Sequence, residues 1–346
     1  MKAHPLNHRD FRMPAEWEPH HATWIAWPHN RADWPGRFAP IPWVYGEIVR
    51  KLSQVERLCI LIQNAAIGKQ ARRILEKVGA NLDAVEYFER ETDRVWTRDY
   101  CPLFVKNRRP ENRRTENRPT DNGRGEIALT AWRFNAWAKY DNFRNDAAVP
   151  ACLAKRLKLP IFTPGMVLEG GSIDVNGDGL LLTTEECLLS PIQARNPDLS
   201  RAQIERRLGE YLGVERVIWL RNGIAGDDTH GHIDDLARFV NPHTVVLCAE
   251  SDPADTATLR TAGLKVIKLP MPRPLFFSGQ RLPASYANFY IANGLVMVPT
   301  FNDPNDRAAL TILAKQFPDR EVSGINCTDL IWGLGALHCM TQQQPS

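Results

Sequence analysis

The sequence repeats one order of elements: strand, tight turn, strand, helix, strand. The clearest copy begins at Leu168, where the segments LEGGSIDV and LLLTT flank a turn at Asn176 and Gly177. An Asn-Gly pair between two apolar runs is a strong signal of a β-hairpin. A helix follows with Ser200 as its N-cap and Gly213 as its stop, and the strand VERVIWL completes the unit.

Further copies have the same order. One runs from WTRDYCPLFV through EIALTAWRF to the helix AAVPACLAKRLKL, and two more turn at Asn241–Pro242 and at Asn293–Gly294. A last copy combines ATWIAWP, the helix WVYGEIVRKLSQV and the strand ERLCILIQ with the terminal segment GALHCMT. Repeated units bury their faces against their neighbours, and joining the chain ends would leave no unpaired sheet edge. The repeat therefore predicts an α/β fold of roughly five ββαβ units.

The composition indicates a globular protein of a reducing compartment. The 346 residues are 43% hydrophobic and 24% charged, which allows a sizeable core. No stretch approaches the roughly 20 apolar residues of a membrane span, and the N-terminus lacks the apolar core of a secretion signal. The seven cysteines are widely spaced and include no CxxC pair. We therefore expect a cytoplasmic protein, with one catalytic domain over residues 1–346 and no membrane partner.

A polar segment interrupts one of the units. Residues 106–126, KNRRPENRRTENRPTDNGRGE, carry seven basic and four acidic side chains, which equals the net charge of +3 of the whole chain. Because the segment has no apolar side chain to bury, we expect a flexible hairpin insertion. A nucleic-acid arm is the alternative, disfavoured because no aromatic residues interleave with the arginines. Deleting residues 107–125 would abolish the function of an RNA-binding protein and leave an enzyme's turnover nearly unchanged.

The candidate site residues recur at one place in the repeat. At or next to the start of a unit's first strand lie Asp99, the turn Glu169–Gly171, the run His232–Asp234, Asn288 and Cys339. In a closed ring of such units these positions would all point toward the central axis. We therefore expect residues far apart in the sequence to form one site.

These side chains are suited to nucleophilic attack on a small cationic carbon centre. Asp99 and Asp234 can together accept four of the five N–H bonds of a monosubstituted guanidinium group. Cys339 supplies the nucleophile, which the two carboxylates should keep protonated while the site is empty. His232 lies two residues before Asp234, on the same face of an extended segment. It would protonate the departing ammonia and then take a proton from water to release the S-linked intermediate.

The motifs WTRD, EGGS, HID, SYANFY and HCMTQQQP, in this order, resemble the agmatine deiminase family. That family includes the bacterial peptidyl-arginine deiminases and belongs to the guanidine-modifying pentein superfamily. The resemblance covers residues 16–344. It implies a five-bladed α/β propeller, the pentein fold, in which pseudo-fivefold ββαβ repeats surround a central active site. It also implies that no cofactor and no metal take part.

The resemblance assigns a role to each motif residue. Cys339 would be the nucleophile, His232 the general acid and base, Asp99 and Asp234 the guanidinium-binding carboxylates, and Asn288 a supporting asparagine. The implied reaction hydrolyses agmatine to N-carbamoylputrescine and ammonia through a covalent Cys-thiouronium intermediate. That reaction is a step of putrescine, and hence polyamine, biosynthesis.

Departures from the family pattern leave the substrate open. WGLGALHC stands where agmatine-specific members carry a glycine-rich run, and Ala138 and Lys139 follow FNAW where two glycines are common. Arg133 could face a substrate carboxylate, as in a deiminase of peptidyl or C-terminal arginine. Another guanidine compound is a further alternative.

Several residues have a second interpretation. Asp99 could form a structural ion pair with Arg98, and Glu169 either lines the substrate channel or caps the Gly-Gly turn. Asn288 could serve only to bridge backbone groups in a turn. Three tryptophans either flank an aliphatic amine through cation–π contacts or belong to the core: Trp96, Trp132 and Trp137.

The histidine cluster permits a rival reaction class. His230, His232 and Asp234 could ligate a divalent metal that activates water, and EDTA would then inactivate the enzyme. The deiminase interpretation instead predicts a small guanidine partner, with agmatine favoured, and no nucleic acid. The sequence leaves open the oligomeric state, a homo-oligomer included, and whether His230 and Asp228 reach the site.

Overall fold

A computed structural model describes residues 7–108 and 126–346. Residues 109–125, which form most of the predicted insertion at 106–126, lie outside the described residues. The strands on either side of them pair antiparallel, with Lys106 opposite Ile127. Within the described ranges, no helix combines the length and the apolar character needed to cross a membrane.

The described strands are short and follow one another along the whole chain. In chain order they are β1 (Phe11–Arg12), β2 (His20–Ala26), β3 (Arg57–Ile62), β4 (Val85–Glu89), β5 (Leu103–Asn107), β6 (Ile127–Thr130), β7 (Ile161–Phe162), β8 (Asp174–Val175), β9 (Leu180–Thr184), β10 (Arg216–Leu220), β11 (Ala237–Asn241), β12 (Thr244–Cys248), β13 (Lys265–Leu269), β14 (Phe276–Phe277), β15 (Gln280–Arg281), β16 (Tyr290–Ala292), β17 (Leu295–Thr300), β18 (Glu321–Asn326) and β19 (Gln342–Pro345).

The described α-helices fall between these strands. They are α1 (Ile41–Leu52), α2 (Ala65–Val78), α3 (Thr97–Tyr100), α4 (Arg144–Ala147), α5 (Val149–Leu157), α6 (Glu185–Leu189), α7 (Arg201–Leu212), α8 (Pro253–Thr261) and α9 (Asp306–Gln316).

Five sheets share one strand order, and together with their helices they make an α/β fold. The antiparallel pairs β5/β6, β8/β9, β11/β12, β16/β17 and β19/β2 each begin a unit. The second strand of each pair then aligns parallel with β7, β10, β13, β18 or β3. Parallel neighbours need a crossover connection, which α5, α7, α8, α9 and α1 supply. This is the ββαβ order that the sequence repeat predicts.

Local capping signals place the helix that follows β9. The Ser200 and Gln203 side chains form the capping box at the start of α7, and Gly213 ends the helix in a left-handed conformation with φ 70°. A glycine has no Cβ to clash in that conformation. The turns predicted at Asn176–Gly177, Asn241–Pro242 and Asn293–Gly294 likewise lie between paired strands.

The split unit is present, but its terminal strand was misplaced. The strand that pairs with β2 is β19, which starts at Gln342, and Gln342 lies opposite Trp24. The predicted strand GALHCMT is instead a turn around Cys339, where the Thr341 N–H donates to the His338 carbonyl at 3.1 Å. The His338 N–H also donates a hydrogen bond, to Asn288 Oδ1 at 2.9 Å. Peptide groups used in this way cannot join a strand ladder.

Two further elements differ from the prediction. Asp99 lies in the short helix α3 rather than in a strand, and Gly170–Ser172 form a 3₁₀ turn ahead of β8. The elements α2 and β4 were not predicted from the sequence, although Asn64 caps the start of α2 and Gly79 ends it at φ 75°. These two elements extend the sheet of β2 and β3 by a fourth strand.

Candidate active site

The predicted site residues occupy the turns that precede the first strands of the five sheets. Asp99 lies in α3 ahead of β5, Asp234 in a 3₁₀ turn ahead of β11, and Cys339 in the turn ahead of β19. Glu169 precedes β8 and Asn288 precedes β16. A turn lets side chains point off the end of a sheet, where side chains from neighbouring sheets can meet.

The structure brings these residues together around His232. Its Nδ1 atom lies 3.9 Å from Asp99 Oδ1 and 3.9 Å from Asp234 Oδ1, and its Nε2 atom lies 3.9 Å from Glu169 Oε2. Cys339 Sγ lies 3.8 Å from Asp234 Oδ2. All of these groups are buried. The predicted convergence of distant segments on one site is therefore present.

The local reason for the proximity of His232 and Asp234 differs from the prediction. They do not share a face of an extended strand, because His232 caps the 3₁₀ turn Ile233–Asp235. The loop before this turn is held by the Asp227 carboxylate, which accepts the N–H of His232 at 2.9 Å and that of Gly231 at 2.8 Å. The turn, and not the alternation of side chains along a strand, therefore brings His232 and Asp234 close together.

The surroundings of His232 favour its charged form. Burial disfavours the imidazolium, but the carboxylates of Asp99, Glu169 and Asp234 outweigh burial and raise the pKa of His232 to about 10. The imidazolium is therefore the form present at neutral pH, and it can donate a proton. Neither ring nitrogen has a hydrogen-bond partner among residues 7–108 and 126–346.

The surroundings of Cys339 favour the thiol. Burial first, and then the carboxylates of Asp234, Asp235 and Asp99, raise the pKa of Cys339 well above its ordinary value. This supports the expectation that the nucleophile stays protonated until a cation arrives. Asn288 Nδ2 lies 3.1 Å from Sγ and can donate to it, which makes Asn288 a direct neighbour of the sulfur.

Asp99 is held by two donors. Trp137 Nε1 donates to Asp99 Oδ2 at 2.9 Å, and the Gly171 N–H donates to Oδ1 at 3.0 Å. Burial, opposed by the His232 charge and reinforced by Asp234 and Glu169, raises the pKa of Asp99 to about 6. Its predicted alternative partner, Arg98, points elsewhere and pairs with Glu16 at 3.2 Å. The structural ion pair between Asp99 and Arg98 is therefore absent.

Asp234 and Glu169 both favour the ionised form, because each carboxylate contacts a buried basic side chain that lowers its pKa. Burial would raise the pKa of Asp234, but the hydrogen bond at 2.7 Å to His338 Nδ1 and nearby positive charges lower it. Glu169 pairs with Arg195 Nε at 3.1 Å, and this pair outweighs burial and lowers the pKa of Glu169 to about 2. The Glu169 side chain makes no cap to the Gly-Gly turn, so the capping interpretation is wrong.

Within the part of the chain that the structure describes, four buried polar atoms at this site lack a hydrogen-bond partner: Glu169 Oε2, His232 Nδ1, His232 Nε2 and Asp234 Oδ1. Buried polar atoms in folded proteins are nearly always hydrogen-bonded, because an unpaired one costs about 1–3 kcal/mol. A cluster of them beside a cavity is therefore suited to a ligand. Two of the four are carboxylate oxygens, which accept N–H donors.

Gly171 keeps the space between these groups open. A Cβ atom at this position would lie 2.5 Å from His232 Nδ1 and 2.9 Å from Asp99 Oδ1. It would also lie 3.0 Å from Asp234 Oδ2. Any larger residue would therefore push apart three of the side chains that form the site.

A cavity of about 360 Å³ reaches this cluster. Trp96, Asp99, Trp137 and Cys339 line it, and His232 and Asp234 lie directly against Asp99 and Cys339. The Glu169 side chain contacts His232 and Arg195, and its part in substrate binding stays a prediction.

Two residues near FNAW do not contact the cavity. Trp132 belongs to the smaller hydrophobic core cluster and donates to Thr130 Oγ1, which agrees with its interpretation as a core residue. Arg133 is exposed and does not line the cavity, so it cannot face a substrate carboxylate there.

The rest of the cavity wall carries paired charges. Asp33 accepts from Arg94 Nη1 at 2.8 Å. Asp228 accepts from Lys139 Nζ, and from the Tyr140 hydroxyl at 2.7 Å. Asp33, Arg94, Tyr140 and Asp228 all line the cavity. The open question about Asp228 is thus answered: it reaches the cavity, though with both carboxylate oxygens already bonded.

The alternative metal site of His230, His232 and Asp234 does not form. The His230 ring contacts Ser190 Oγ at 3.1 Å and Glu186 Oε1 at 3.8 Å, away from Asp234. Within the described ranges, two other groups have potential ligand atoms within 4.8 Å of one another: Glu169, Cys187 and His232, and Asp234, Asp235 and Cys339. His232 and Cys339 would each first have to lose a proton, because metals bind the deprotonated forms.

Sequence reasoning missed several buried charged residues around the site. They are Glu16, Asp235, Arg195, Arg238 and His338. For Arg238 and His338 the sequence offered a signal: each is a charged or titratable side chain within an apolar segment, LARFV or GALHCM, and such residues are rarely buried unless paired.

Comparisons with known proteins show what this chain is similar to. Residues 12–345 match the family model of the Porphyromonas-type peptidyl-arginine deiminases. An agmatine deiminase of Pseudomonas aeruginosa is 34% identical over 97% of this chain and 96% of its own length. The solved agmatine deiminase of Enterococcus faecalis is 31% identical, covers 98% of each chain and superposes with a TM-score of 0.84. A cysteine-to-serine variant of the C. jejuni agmatine deiminase with substrate bound has the same TM-score at 29% identity, covering 97% and 96%.

Proposed function

Because this chain belongs to the Porphyromonas-type peptidyl-arginine deiminase family, we propose that it hydrolyses a carbon–nitrogen bond of a guanidinium compound. The favoured substrate is agmatine, which would yield N-carbamoylputrescine and ammonia in putrescine formation. One observation carries the proposal: Asp99 and Asp234 flank His232 within ion-pair distance, and Cys339 Sγ lies beside Asp234. Two carboxylates can take four N–H donors of one planar guanidinium group.

Substrate binding would activate the nucleophile. The two carboxylates and burial hold Cys339 as a thiol in the empty site. A guanidinium cation beside the sulfur would offset that negative charge and lower the pKa of the thiol. The Asn288 Nδ2–H, 3.1 Å from Sγ, would then stabilise the thiolate.

The reaction would proceed in two halves. The Cys339 thiol releases its proton to solvent, Sγ forms a bond to the guanidinium carbon, and His232 donates its proton to the leaving nitrogen, which departs as ammonia. The carbon is then held as an S-linked thiouronium. Neutral His232 next takes a proton from water as the water oxygen attacks this carbon. The C–S bond breaks, the proton of the new hydroxyl group passes to the sulfur and restores the thiol, and the product carries a ureido group.

We also infer that the five sheets close into a five-bladed propeller, forming one catalytic domain over residues 1–346. Two observations support the ring. The β19–β2 pair joins the two ends of the chain in one sheet, and the turns ahead of the first strands of all five sheets contribute to one site. All seven cysteines are free thiols, which fits the proposed cytoplasmic location.

A second candidate substrate class is free or peptide-terminal arginine. The observation that favours it is the pairing of the wall carboxylates: Asp33 with Arg94, and Asp228 with Lys139. Arg94 lines the cavity and could donate its N–H groups to a substrate carboxylate. The ammonium of agmatine would instead compete with these cations for Asp33 and Asp228. Lys139, whose side chain is 39% exposed, can move into solvent and leave Asp228 to the ammonium.

Ammonia release from agmatine, free arginine and peptides ending in arginine tests the proposal. We expect the highest kcat/KM with agmatine, none with Cys339→Ser, and no effect of EDTA. A preference for C-terminal arginine would establish the second candidate. If no guanidine compound yields ammonia, the proposed function is wrong. Loss of activity in EDTA with recovery in zinc would establish a metal-dependent hydrolase.

A further inference from the structure

The residue before the nucleophile bridges two buried carboxylates. His338 Nδ1 lies 2.7 Å from Asp234 Oδ2, and His338 Nε2 lies 2.8 Å from Glu16 Oε2. The His338 side chain is only 2% exposed. Glu16 is separated from His338 by 322 positions in the sequence. The bridge therefore ties the N-terminal segment to the turn that carries Cys339.

The chemistry of this bridge sets the protonation of the ring. An ionised carboxylate can only accept hydrogen bonds, so each contact requires an N–H on the imidazole side. Glu16 also accepts from Arg238 and Arg98, so its carboxylate faces donors on every side. With one carboxylate oxygen at 2.7 Å from Nδ1 and another at 2.8 Å from Nε2, the geometry points to a proton on each ring nitrogen of His338.

The Glu16 end of the bridge is firmly held. Glu16 Oε1 accepts from Arg238 Nη2 at 2.9 Å and from the Ile291 N–H at 2.8 Å, while Oε2 also accepts from Arg98 Nη2 at 3.2 Å. Arg238 in turn pairs with Asp174 at 3.2 Å. A carboxylate with this many donors cannot rotate, so His338 has a fixed anchor on the side away from the site.

The consequence falls on Asp234. Its Oδ2 is taken by His338, and the Cys339 sulfur lies beside the same oxygen. Its Oδ1 has no partner and lies 3.9 Å from His232 Nδ1. The bridge thus decides which oxygen of Asp234 is free and which way it points.

We propose that His338, held as an imidazolium by Glu16, is a positioning residue that fixes Asp234 with Oδ1 directed at the guanidinium group of the substrate. This inference rests on the proposed function. His338 does not touch the substrate and transfers no proton. It acts through Asp234, and its positive charge offsets one of the carboxylates that surround the nucleophile.

Steady-state kinetics of two variants test the inference. His338→Gln loses the contact with Asp234, and we expect KM for agmatine to rise about tenfold or more, the size expected when a charge-assisted hydrogen bond is lost. His338→Asn places its amide near the position of Nδ1, keeps a donor to Asp234 and should show a smaller rise in KM. An unchanged KM in both variants, or a fall in kcat alone, would overturn the inference.

His20→Asn is the matched control. His20 is equally buried, and its ring contacts the Glu16 backbone carbonyl at 2.8 Å and Glu56 at 3.3 Å, but it does not contact Asp234. We expect it to lower Tm about as much as the His338 variants while leaving KM unchanged. A rise in KM as large as that of His338→Gln would show a general effect of losing a buried histidine, and would overturn the inference.

Nitrogen-15 NMR of the histidine-labelled wild-type protein at pH 7 tests it without any variant having to turn over substrate. Comparison with His338→Asn assigns the His338 ring among the nine histidines. We expect both ring nitrogens to have the chemical shifts of protonated nitrogens. A pyridine-type nitrogen would overturn the inference. If the wild type releases no ammonia from any guanidine compound while this ring is doubly protonated, the proposed function fails and the Glu16–His338–Asp234 bridge stands.

Discussion

Two neighbouring layers of charged side chains are equally buried but differ in how well they are hydrogen-bonded. The reactive layer consists of Asp99, Glu169, His232 and Asp234. The supporting layer consists of Glu16, Arg98, Asp174, Arg238 and His338. In the reactive layer, four side-chain atoms have no partner. In the supporting layer every side-chain nitrogen and oxygen has one.

The layers also differ in how closely their charges are paired. In the reactive layer, Glu169 pairs with Arg195 at 3.1 Å and Asp234 with His338 at 2.7 Å, whereas the nearest cation to Asp99 is His232 at 3.9 Å. In the supporting layer, Glu16 pairs with Arg98 and Arg238, and Asp174 pairs with Arg238, all within 3.2 Å. Unpaired acceptors are therefore confined to the place where a guanidinium group would supply donors. The difference indicates that chemistry depends on the first layer and stability on the second.

The largest effect should follow from Cys339→Ser. Without the thiol no S-linked intermediate can form, and we expect kcat/KM for agmatine to fall by roughly 10⁴-fold or more. The hydroxyl is small enough to fit the buried site, so Tm should stay within a few degrees. Ammonia release and thermal melting measure the two quantities. Residual activity above a tenth of wild type would remove Cys339 from its proposed role.

Asp99→Asn should separate activity from stability. Losing one of the two guanidinium carboxylates should lower kcat/KM by about 10³-fold. Because the folded pKa of about 6 lies above the ordinary 3.8, ionisation of Asp99 opposes folding. Its contribution to stability is fully present below pH 3.8 and is lost as pH rises through 6.

The stability of Asp99→Asn relative to wild type should therefore rise by up to roughly 3 kcal/mol between about pH 4 and pH 6. Urea unfolding of both proteins at several pH values in this window measures the difference. A difference in stability that is constant with pH would show that the pKa of Asp99 is not raised in the folded protein.

Arg238→Met should lower stability strongly, whereas Cys339→Ser should lower activity and leave stability almost unchanged. Arg238 is fully buried and pairs with both Glu16 and Asp174, so its loss leaves carboxylates unpaired and should cost about 3–5 kcal/mol of folding free energy. Urea unfolding measures this cost. Arg72→Met is the control, because Arg72 pairs with Glu76 at the surface and should change stability by less than about 0.5 kcal/mol. Equal effects of the two substitutions would contradict the assignment of stability to the supporting layer.

Gly171→Ala should impair the reactive layer through sterics alone. The added methyl group would lie 2.5 Å from His232 Nδ1, and the displacement of that ring should lower kcat/KM by about 100-fold. Gly209→Ala adds the same methyl group in α7, where its nearest neighbour is the Val214 carbonyl at 3.0 Å, and should leave kcat/KM unchanged. Wild-type kinetics in Gly171→Ala would mean that the reactive layer tolerates more space between its groups than the structure shows.

Ala138→Gly should give the smallest effect, and a favourable one. Ala136, Trp137 and Ala138 are consecutive residues in the left-handed region, with φ of 50°, 59° and 53°. The Cβ atom of any residue other than glycine is strained in this conformation, so a glycine at 138 should stabilise the protein by about 0.5–1 kcal/mol. Thermal melting should show a small rise in Tm. Ala151→Gly in the exposed part of α5 should lower it instead, by helix propensity.

Features decided by neighbouring residues were predicted well. The capping box at Ser200, the stop at Gly213 and the Asn293–Gly294 turn depend on backbone conformations that a few adjacent residues determine. The reactive residues were found because a thiol, an imidazole and two carboxylates are a recognisable chemical set. The repeat further indicated that they occupy equivalent places, which the five sheets bear out.

Features decided by distant partners were missed or misplaced. The segment around Cys339 has the composition of a strand. Its N–H groups at residues 338 and 339, however, donate to Asn288, which lies in a distant part of the chain. The role of His338 could not be inferred, because its partner Glu16 lies at the opposite end of the sequence. Trp132 and Trp137 have similar sequence surroundings, yet only the second reaches Asp99.

The sequence by itself determined the repeat, the local turns and caps, and the identity of the reactive groups, because each depends on residue type or on neighbours along the chain. Only the tertiary structure decided which carboxylate oxygens are free, why His232 is charged while Cys339 is not, and which buried ions support the site. These properties depend on burial and on charges a few ångströms apart in space, and separation along the chain does not encode such distances.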